Sequence, residues 1–340
     1  MTTRKTTIVQ NTTPKVQPYR LISQSAFTLI SVWIGVDFYF FIRFLATNGL
    51  HGSAYRPAGV EAYLPISSLM SFVYFLQTGS IHGIHPAGFL IFSGIIIMSF
   101  VLGKSFCSWV CPVGFISDMV GDFGKKLLKK NFTMPRWADF PMRSLKYLLL
   151  LFFFTTIITM SVPQLLLFLN SDYNIIADIK LYEFFRYLSS FSIVVLTVLL
   201  LLSIPFRNFW CRYLCPYGAL LGLAGLLSIL KIRRNAPTCI DCKLCDKACP
   251  SSIIISKANY VVSDECTSCL QCVDVCPVDE TLDIRPIGAK KKINSLYMSI
   301  AAVMILCGII LYGIMSHTWK SSVQNEKFIE LYNSRDFIGH

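Results

Sequence analysis

Long apolar runs separated by short basic or polar stretches dominate this chain. Five of them, residues 25–45, 84–103, 148–169, 187–206 and 295–315, are long enough to cross about 30 Å of hydrocarbon as helices. The third and fifth contain no charged residue. A sixth run, from Tyr63 to Leu76, is too short to span and holds Pro65, which predicts an interfacial or re-entrant helix. After Pro112 an amphipathic stretch ends in Lys125, Lys126, Lys129 and Lys130, a pattern suited to anionic lipid headgroups. Ala219 to Leu230 is a comparable apolar run after Pro216, placed to pack beneath the neighbouring hairpin.

Composition and charge turn this pattern into a topology. With 54% hydrophobic and 15% charged residues among 340, the chain is too apolar for an ordinary soluble protein and belongs in a bilayer. Basic residues fall unevenly between alternate loops, which orients the chain by the positive-inside rule. Arg4, Lys5, Lys15 and Arg20 precede the first run, and eight basic residues lie from Lys104 to Lys146. Arg207, Arg212, Lys231, Arg233 and Arg234 follow the fourth run, and Lys290, Lys291 and Lys292 precede the fifth. By contrast, the loop after the first run holds only Arg56 and Glu61, and the loop between the third and fourth has no excess of bases. The expected arrangement has a cytoplasmic N-terminus and an outer tail beyond Met315. The net charge of +12 is mostly this topological signal, and nothing in the chain reads nucleic acid. No small-residue cleavage site follows the first run, so it is expected to remain as an anchor.

The cysteines carry the chemistry. Eight of the thirteen fall into two copies of one spacing: Cys239, Cys242, Cys245 and Cys249 before Pro250, and Cys266, Cys269, Cys272 and Cys276 before Pro277. Such ladders hold two [4Fe-4S] clusters, with the fourth cysteine of each serving the other cluster. The expected sets therefore cross: Cys239, Cys242, Cys245 and Cys276 in one, Cys266, Cys269, Cys272 and Cys249 in the other. Zinc sites usually pair two CxxC hooks and do not need eight thiolates in duplicate ladders. Between Ala236 and Ile287 the acids Asp241, Asp246, Asp264, Glu265, Asp274, Asp279, Glu280 and Asp283 outnumber the bases. That acidity could dock a basic redox partner or form an ordinary solvated surface.

A second cysteine motif is itself repeated. Cys107 and Cys111 in FCSWVCPVG return as Cys211 and Cys215 in WCRYLCPYG, offset by 104 residues at every matched position. Each copy follows an outside-to-inside run, which predicts two transmembrane hairpins duplicated in parallel orientation, with four cysteines gathered at the cytoplasmic face. Spacing of four puts each pair on one helical face, and the following proline places Cys111 and Cys215 at the start of a new helix. There the helix dipole, with Lys104, Arg207 and Arg212, is expected to favour thiolate, for a redox or metal role. Cys307, alone in the last run, reads as a plain core residue.

All five histidines, His51, His82, His85, His317 and His340, fall in outer segments or at their membrane boundary. His82 and His85 open the second run, and Asp37 lies in the first, towards the same side. Ionisable groups inside a membrane segment are functional candidates, and quinol oxidation needs groups that accept protons. The alternatives are that Asp37 pairs with Arg43 or Arg56 and that the histidines are surface polar residues.

The apolar spans, the two CxxxCP motifs and the double ladder together make residues 20 to 290 resemble the membrane polyferredoxins, the family of the NapH, NosR and CcoG proteins. The resemblance implies electron traffic between quinol, iron–sulfur clusters and a partner protein. Neither the flavin-binding outer domain that precedes the first span in NosR-like members nor the immunoglobulin-like domain that follows the last in CcoG-like ones is expected here. The fifth span also differs from the simplest NapH pattern.

The expected fold is mainly α, a polytopic bundle of five spans with a duplicated hairpin and an inserted α+β ferredoxin of the bacterial 2[4Fe-4S] type. Its domains are a membrane domain over 1–235, the ferredoxin over 236–288, and a last span with a short periplasmic tail over 289–340. The expected function is electron relay in a bacterial inner membrane between quinol or a cytoplasmic donor and a redox partner protein, with a further centre or a dithiol relay at the CxxxCP quartet. The alternative is a cupric reductase using those thiolates, since soft sulfur selects reduced copper.

Overall fold

The computed structural model describes residues 10–11, 15–129, 132–288 and 292–338. Arg4, Lys5, Lys130, Lys290, Lys291 and His340 lie outside the described residues. The helices in chain order are α1 (Gln17–Ala46), α2 (Pro65–Thr78), α3 (Pro86–Leu102), α4 (Phe106–Trp109), α5 (Pro112–Leu128), α6 (Arg136–Ile158), α7 (Val162–Leu169) and α8 (Asp172–Ile175). They continue as α9 (Ala177–Arg186), α10 (Ser190–Ser203), α11 (Pro216–Leu226), α12 (Leu244–Ala248), α13 (Gln271–Asp274), α14 (Leu296–Met315) and α15 (Asn325–Asn333). Two strands, β1 (Leu230–Arg234) and β2 (Leu282–Pro286), pair antiparallel with Ile232 opposite Ile284.

Among the described residues three helices, α1, α6 from Trp137, and α14, are long and apolar enough to cross a membrane. The pair α9 and α10 would make a fourth, but the two are bent by 81° at Tyr187–Ser189. This differs from the five expected spans for local reasons. The run 148–169 is interrupted after Ile158, where Ser161 and Gln164 form a capping box and Pro163 sits in the first turn of α7. The spanning helix starts instead at Arg136 and carries Arg143 and Lys146 within it. At 17 residues, α3 is about 26 Å long at 1.5 Å per residue, a little short of the hydrocarbon.

The described chain forms two compact units. One comprises Met1–Thr28, Ile96–Leu148 and Leu199–Met304. In it α5 is amphipathic in an inverted sense: Gly114, Ser117, Asp118, Gly121 and Gly124 are buried, while Val113, Ile116, Met119, Phe123 and Leu127 are exposed. The small face permits close packing, and the large apolar face suits lipid. The loop carrying the second cysteine ladder is pinned to helices of the same unit. Ser108 Oγ donates to the Thr267 carbonyl at 2.6 Å, Trp109 Nε1 to Ser268 at 3.0 Å and Gln17 Nε2 to Cys269 at 2.9 Å. Asp274 accepts the backbone N–H groups of Val16 and Gln17, Tyr147 donates to Asp264, and Lys146 pairs with Glu265.

The other unit comprises Leu29–Ile95, Leu149–Val198 and Ile305–His340. Its core gathers Phe38, Phe41, Ile42 and Leu45 of α1 with Ile175, Ile176 and Ile179, and with Phe328, Leu331 and Tyr332 of α15. The segment expected as a short tail is thus a helix seated in a core. Arg335 beyond it pairs with Glu183 at 2.5 Å. The short run read as interfacial forms α2, which packs on α7.

Candidate functional site

The two ladders share a backbone design. Left-handed residues recur at the same offsets, Asp241 and Lys243 in the first and Ser268 and Leu270 in the second, each pair just before a short helix, α12 or α13. None of the four is glycine, so the conformation is held against its intrinsic preference by the surrounding loops. The cysteines then divide between two small cavities. One is lined by Cys239, Cys242, Cys245 and Cys276, the other by Cys249, Cys266, Cys269 and Cys272. Ile232, Ile253, Ile255, Val261 and Leu270 complete the second cavity, where Cys269 and Cys272 are buried. Cys242, in the first, is exposed.

Among the described residues no three His, Cys, Asp or Glu side chains converge as one metal ion would require. Each set of four thiols instead rings a space, and an all-sulfur donor set around a space fits a multi-iron cluster better than a single zinc. Burial pushes the Cys266 thiol up to about 12 and the Cys245 thiol up to about 11, with Cys249, Cys272 and Cys276 shifted the same way. Thiolate there requires a compensating positive centre.

The CxxxCP quartet is also assembled. Cys211 stands within electrostatic reach of Cys111, Cys215 and Cys107. Cys111 and Cys215 are the N-caps of α5 and α11, and the Cys215 sulfur accepts the Gly218 N–H at 3.3 Å. The extended backbone at both residues takes them off the preceding helical turn, so each pair straddles a bend and does not share one helical face. A Cβ at Gly114 would lie 2.1 Å from the Cys107 carbonyl, while one at Gly218 would meet the Cys211 carbonyl at 3.4 Å. Cys107 and Cys211 line a narrow cavity shared with Lys104 and Cys269, which joins the quartet to the second ladder.

At Cys107, Cys111 and Cys211 burial opposes the expected thiolate. It pushes Cys107 up to about 12 and raises Cys211, in both cases outweighing Lys104, and raises Cys111 against the Gly114 and Val113 N–H groups. Arg207 pairs with Asp118 and Asp122, and Arg212 with Asp139, so their charge is compensated elsewhere. Lys104 is a buried cation that faces the cysteines, and its ammonium interacts with Cys107, Glu265, Cys215 and Cys211.

In the other unit His85 is buried in a charged group that sequence reasoning only partly anticipated. Its Nε2 lies 2.7 Å from the Asn174 carbonyl, which can only accept, so Nε2 carries a proton. Its Nδ1 lies 3.3 Å from the Arg56 guanidinium and 3.4 Å from Glu61. Arg56 bridges Glu61 at 2.7 Å and Asp178 at 2.8 Å, and both carboxylates are fully buried. Burial alone would raise the Glu61 carboxyl, but Arg56 and His85 hold it below its ordinary value. His82 packs edge-on to Tyr74 with ring centroids 5.6 Å apart, and burial lowers its proton affinity. Asp37 is not part of this group and forms no ion pair among the described residues, so its proposed pairing with Arg56 is replaced by Glu61 and Asp178. His51 and His317 are exposed. Asp178 was missed, and Glu61 was noted only as a loop charge; a lone acid in a charge-poor loop was the available signal.

Most of the acidic run turns inward. Asp246 accepts the N–H groups of Ile255 and Ser256, Asp283 pairs with Arg285, and Asp264, Glu265 and Asp274 bind Tyr147, Lys146 and the start of α1. These carboxylates organise the module and do not present an acidic docking face.

Comparison with known proteins agrees with this picture. A 4Fe-4S binding domain model matches twice, over residues 84–131 and 189–235, each match holding one CxxxCP motif. A 4Fe-4S dicluster domain model matches residues 231–277. YccM of Escherichia coli strain K12, whose name ascribes it to electron transport, is 39% identical over 327 residues, covering 95% of this chain and 92% of that protein. The chain belongs to the membrane polyferredoxin family. Polyferredoxin relatives further off include the ferredoxin-type protein NapH of the same organism, 25% identical over 241 residues, covering 68% of this chain and 78% of NapH. The regulatory protein NosR of Pseudomonas aeruginosa is 26% identical over 172 residues, covering 49% of this chain and 23% of NosR. No solved structure matches the chain. As a membrane polyferredoxin it binds iron–sulfur clusters and serves electron transport.

Proposed function

We propose that this polyferredoxin relays electrons in the bacterial inner membrane through two [4Fe-4S] clusters, between quinol or a cytoplasmic donor and a redox partner protein. The carrying observation is the sorting of eight cysteines into two four-thiol cavities that each take their fourth member from the other ladder. Cys239, Cys242, Cys245 and Cys276 would hold one cluster, and Cys249, Cys266, Cys269 and Cys272 the other. Such clusters supply one-electron storage on sulfur-ligated iron. The chain's own part is to set their surroundings. Ile232, Ile255, Val261 and Leu270 keep water from the second set, and the exposed Cys242 leaves the first open to a partner.

The ferredoxin module over 236–288 and the basic loops around it are assigned to the cytoplasm, with the C-terminal segment outside, on the charge asymmetry of the loops. The repeated match to one domain model, over residues 84–131 and 189–235, takes in the second run of each expected hairpin with its CxxxCP motif and supports the duplication. Cys107, Cys111, Cys211 and Cys215 are assigned to a further centre, because Cys211 has the other three within electrostatic reach and shares with Cys107 a narrow cavity that Cys269 also lines. If that centre is copper, the protein is a cupric reductase, a reading favoured by the all-sulfur quartet. His85 is assigned as a proton acceptor for quinol, since its Nδ1 faces the Glu61 carboxylate, which would stabilise an added proton, as well as Arg56, and His82 borders it.

The ligand sets are tested by substitution to serine with iron analysis and low-temperature magnetic spectroscopy. C276S should abolish the same cluster signal as C239S, and C249S the same signal as C266S, each with loss of about half the iron. Loss following the ladders in sequence, or no iron at all in anaerobic wild-type protein, would reject the assignment. Copper retained by wild type and lost in C107S/C215S would select the copper reading.

A further inference from the structure

The acidity of the ferredoxin segment suggests a basic partner, but the charged residues that line the cavity of the exposed cysteine have the opposite sign. Cys242 is the exposed member of its set. The charged residues lining that cavity are Arg234 and Lys243, both cations. Lys243 and Lys247 are one helical turn apart, joined by the Lys247 N–H to Lys243 carbonyl bond, and both are exposed. Asp246, between them in sequence, turns in to cap Ile255 and Ser256, which draws the turn bearing the exposed Lys257 against α12. Of the exposed acids nearby, Asp241 has Arg234 at 4.0 Å and Glu280, between the lining residues Val278 and Thr281, pairs with Lys292 at 3.0 Å. Ile240 and Leu244 flank Cys242 at 48% and 42% exposure and lie outside every apolar helix. A small apolar centre ringed by lysines is the form of a protein interface, and its charge selects an acidic surface.

We infer that the face formed by Ile240, Cys242, Lys243, Leu244 and Lys247 docks a small acidic redox protein. This deepens the proposed function and rests on its assignment of Cys242 to a cluster. Rim charges of this kind act on encounter and specificity within a Debye length, about 8 Å at 0.15 M salt, so their contribution falls as salt rises.

The test uses the full chain in neutral-lipid nanodiscs, with binding of an acidic flavodoxin and a basic cytochrome c followed by interferometry. Flavodoxin should bind wild type, more weakly with added salt, and about tenfold more weakly in K243E/K247E, while cytochrome c should gain affinity in that variant. K125E/K126E, which alters exposed lysines on α5, should leave flavodoxin binding unchanged. Should the reversal variant lose its iron, K243Q/K247Q replaces it, with a smaller loss expected. Flavodoxin binding indifferent to these lysines, or cytochrome c preferred by wild type, overturns the inference. Iron and sulfide are measured on the same samples: iron-free wild type refutes the cluster assignment, whereas charge-insensitive binding by iron-replete protein refutes only the docking face.

Discussion

The ammonium of Lys146, carried by the apolar helix α6, lies 2.5 Å from a carboxylate oxygen of Glu265, and both side chains are buried. Glu265 directly precedes Cys266, so the pair ties a membrane-type helix to the second ladder.

Removing one partner leaves an uncompensated buried charge. Lys146→Met should destabilise the protein by about 3–5 kcal/mol, because the lost attraction exposes the desolvation cost of Glu265. The double variant K146M/E265M, which removes both charges, should recover most of that loss. Denaturant titration in detergent, followed by the cluster absorbance, checks both; equal loss in the single and double variants would contradict the pairing.

The two CxxxCP copies should respond differently to the same change. An added methyl at Gly114 meets the Cys107 carbonyl at 2.1 Å, so Gly114→Ala must displace backbone and should cost roughly 1–3 kcal/mol. Gly218→Ala meets the Cys211 carbonyl only at ordinary contact distance and should lie within about 0.5 kcal/mol of wild type. Thermal midpoints of the two variants, compared side by side, test the asymmetry.

Acid stability should depend on Glu61. Its folded proton affinity is lowered from the ordinary carboxyl value of 4.5, so its contribution is complete above that value and is lost as pH falls through the lower folded one. Glu61→Gln should therefore be less stable than wild type at pH about 7 and should show a flatter loss of stability in acid. Unfolding midpoints measured from neutral pH into that acid range give the result; parallel curves for the two proteins would exclude the contribution.

What could be read from the chain alone followed from local chemistry. Cysteine spacing and the proline after each ladder need only a few consecutive residues to act, and the N-cap positions of Cys111 and Cys215 follow from Pro112 and Pro216. The span ends were less legible, because hydropathy does not register a capping box at Ser161–Gln164. The inward acids were not legible either. Glu265 finds its cation 119 residues away and Asp178 finds Arg56 122 residues away, and charge counts over a segment cannot separate such carboxylates from solvated ones. Proline could place Cys111, but the raised proton affinity of its thiol depends on burial that only the assembled unit creates.

The hydroxyl of Ser108 donates to the Thr267 carbonyl, and the N–H of the same peptide unit, on Ser268, reaches the sulfur of Cys266. A planar trans amide turns these two groups in opposite directions, so one rigid plate links the turn that bears Cys107 to a thiol of the neighbouring ladder. Rotation of that turn would tilt the plate and move the Ser268 N–H relative to the Cys266 sulfur. One copy of the repeated motif thereby touches the neighbouring ladder through a contact that involves no cysteine from its own side.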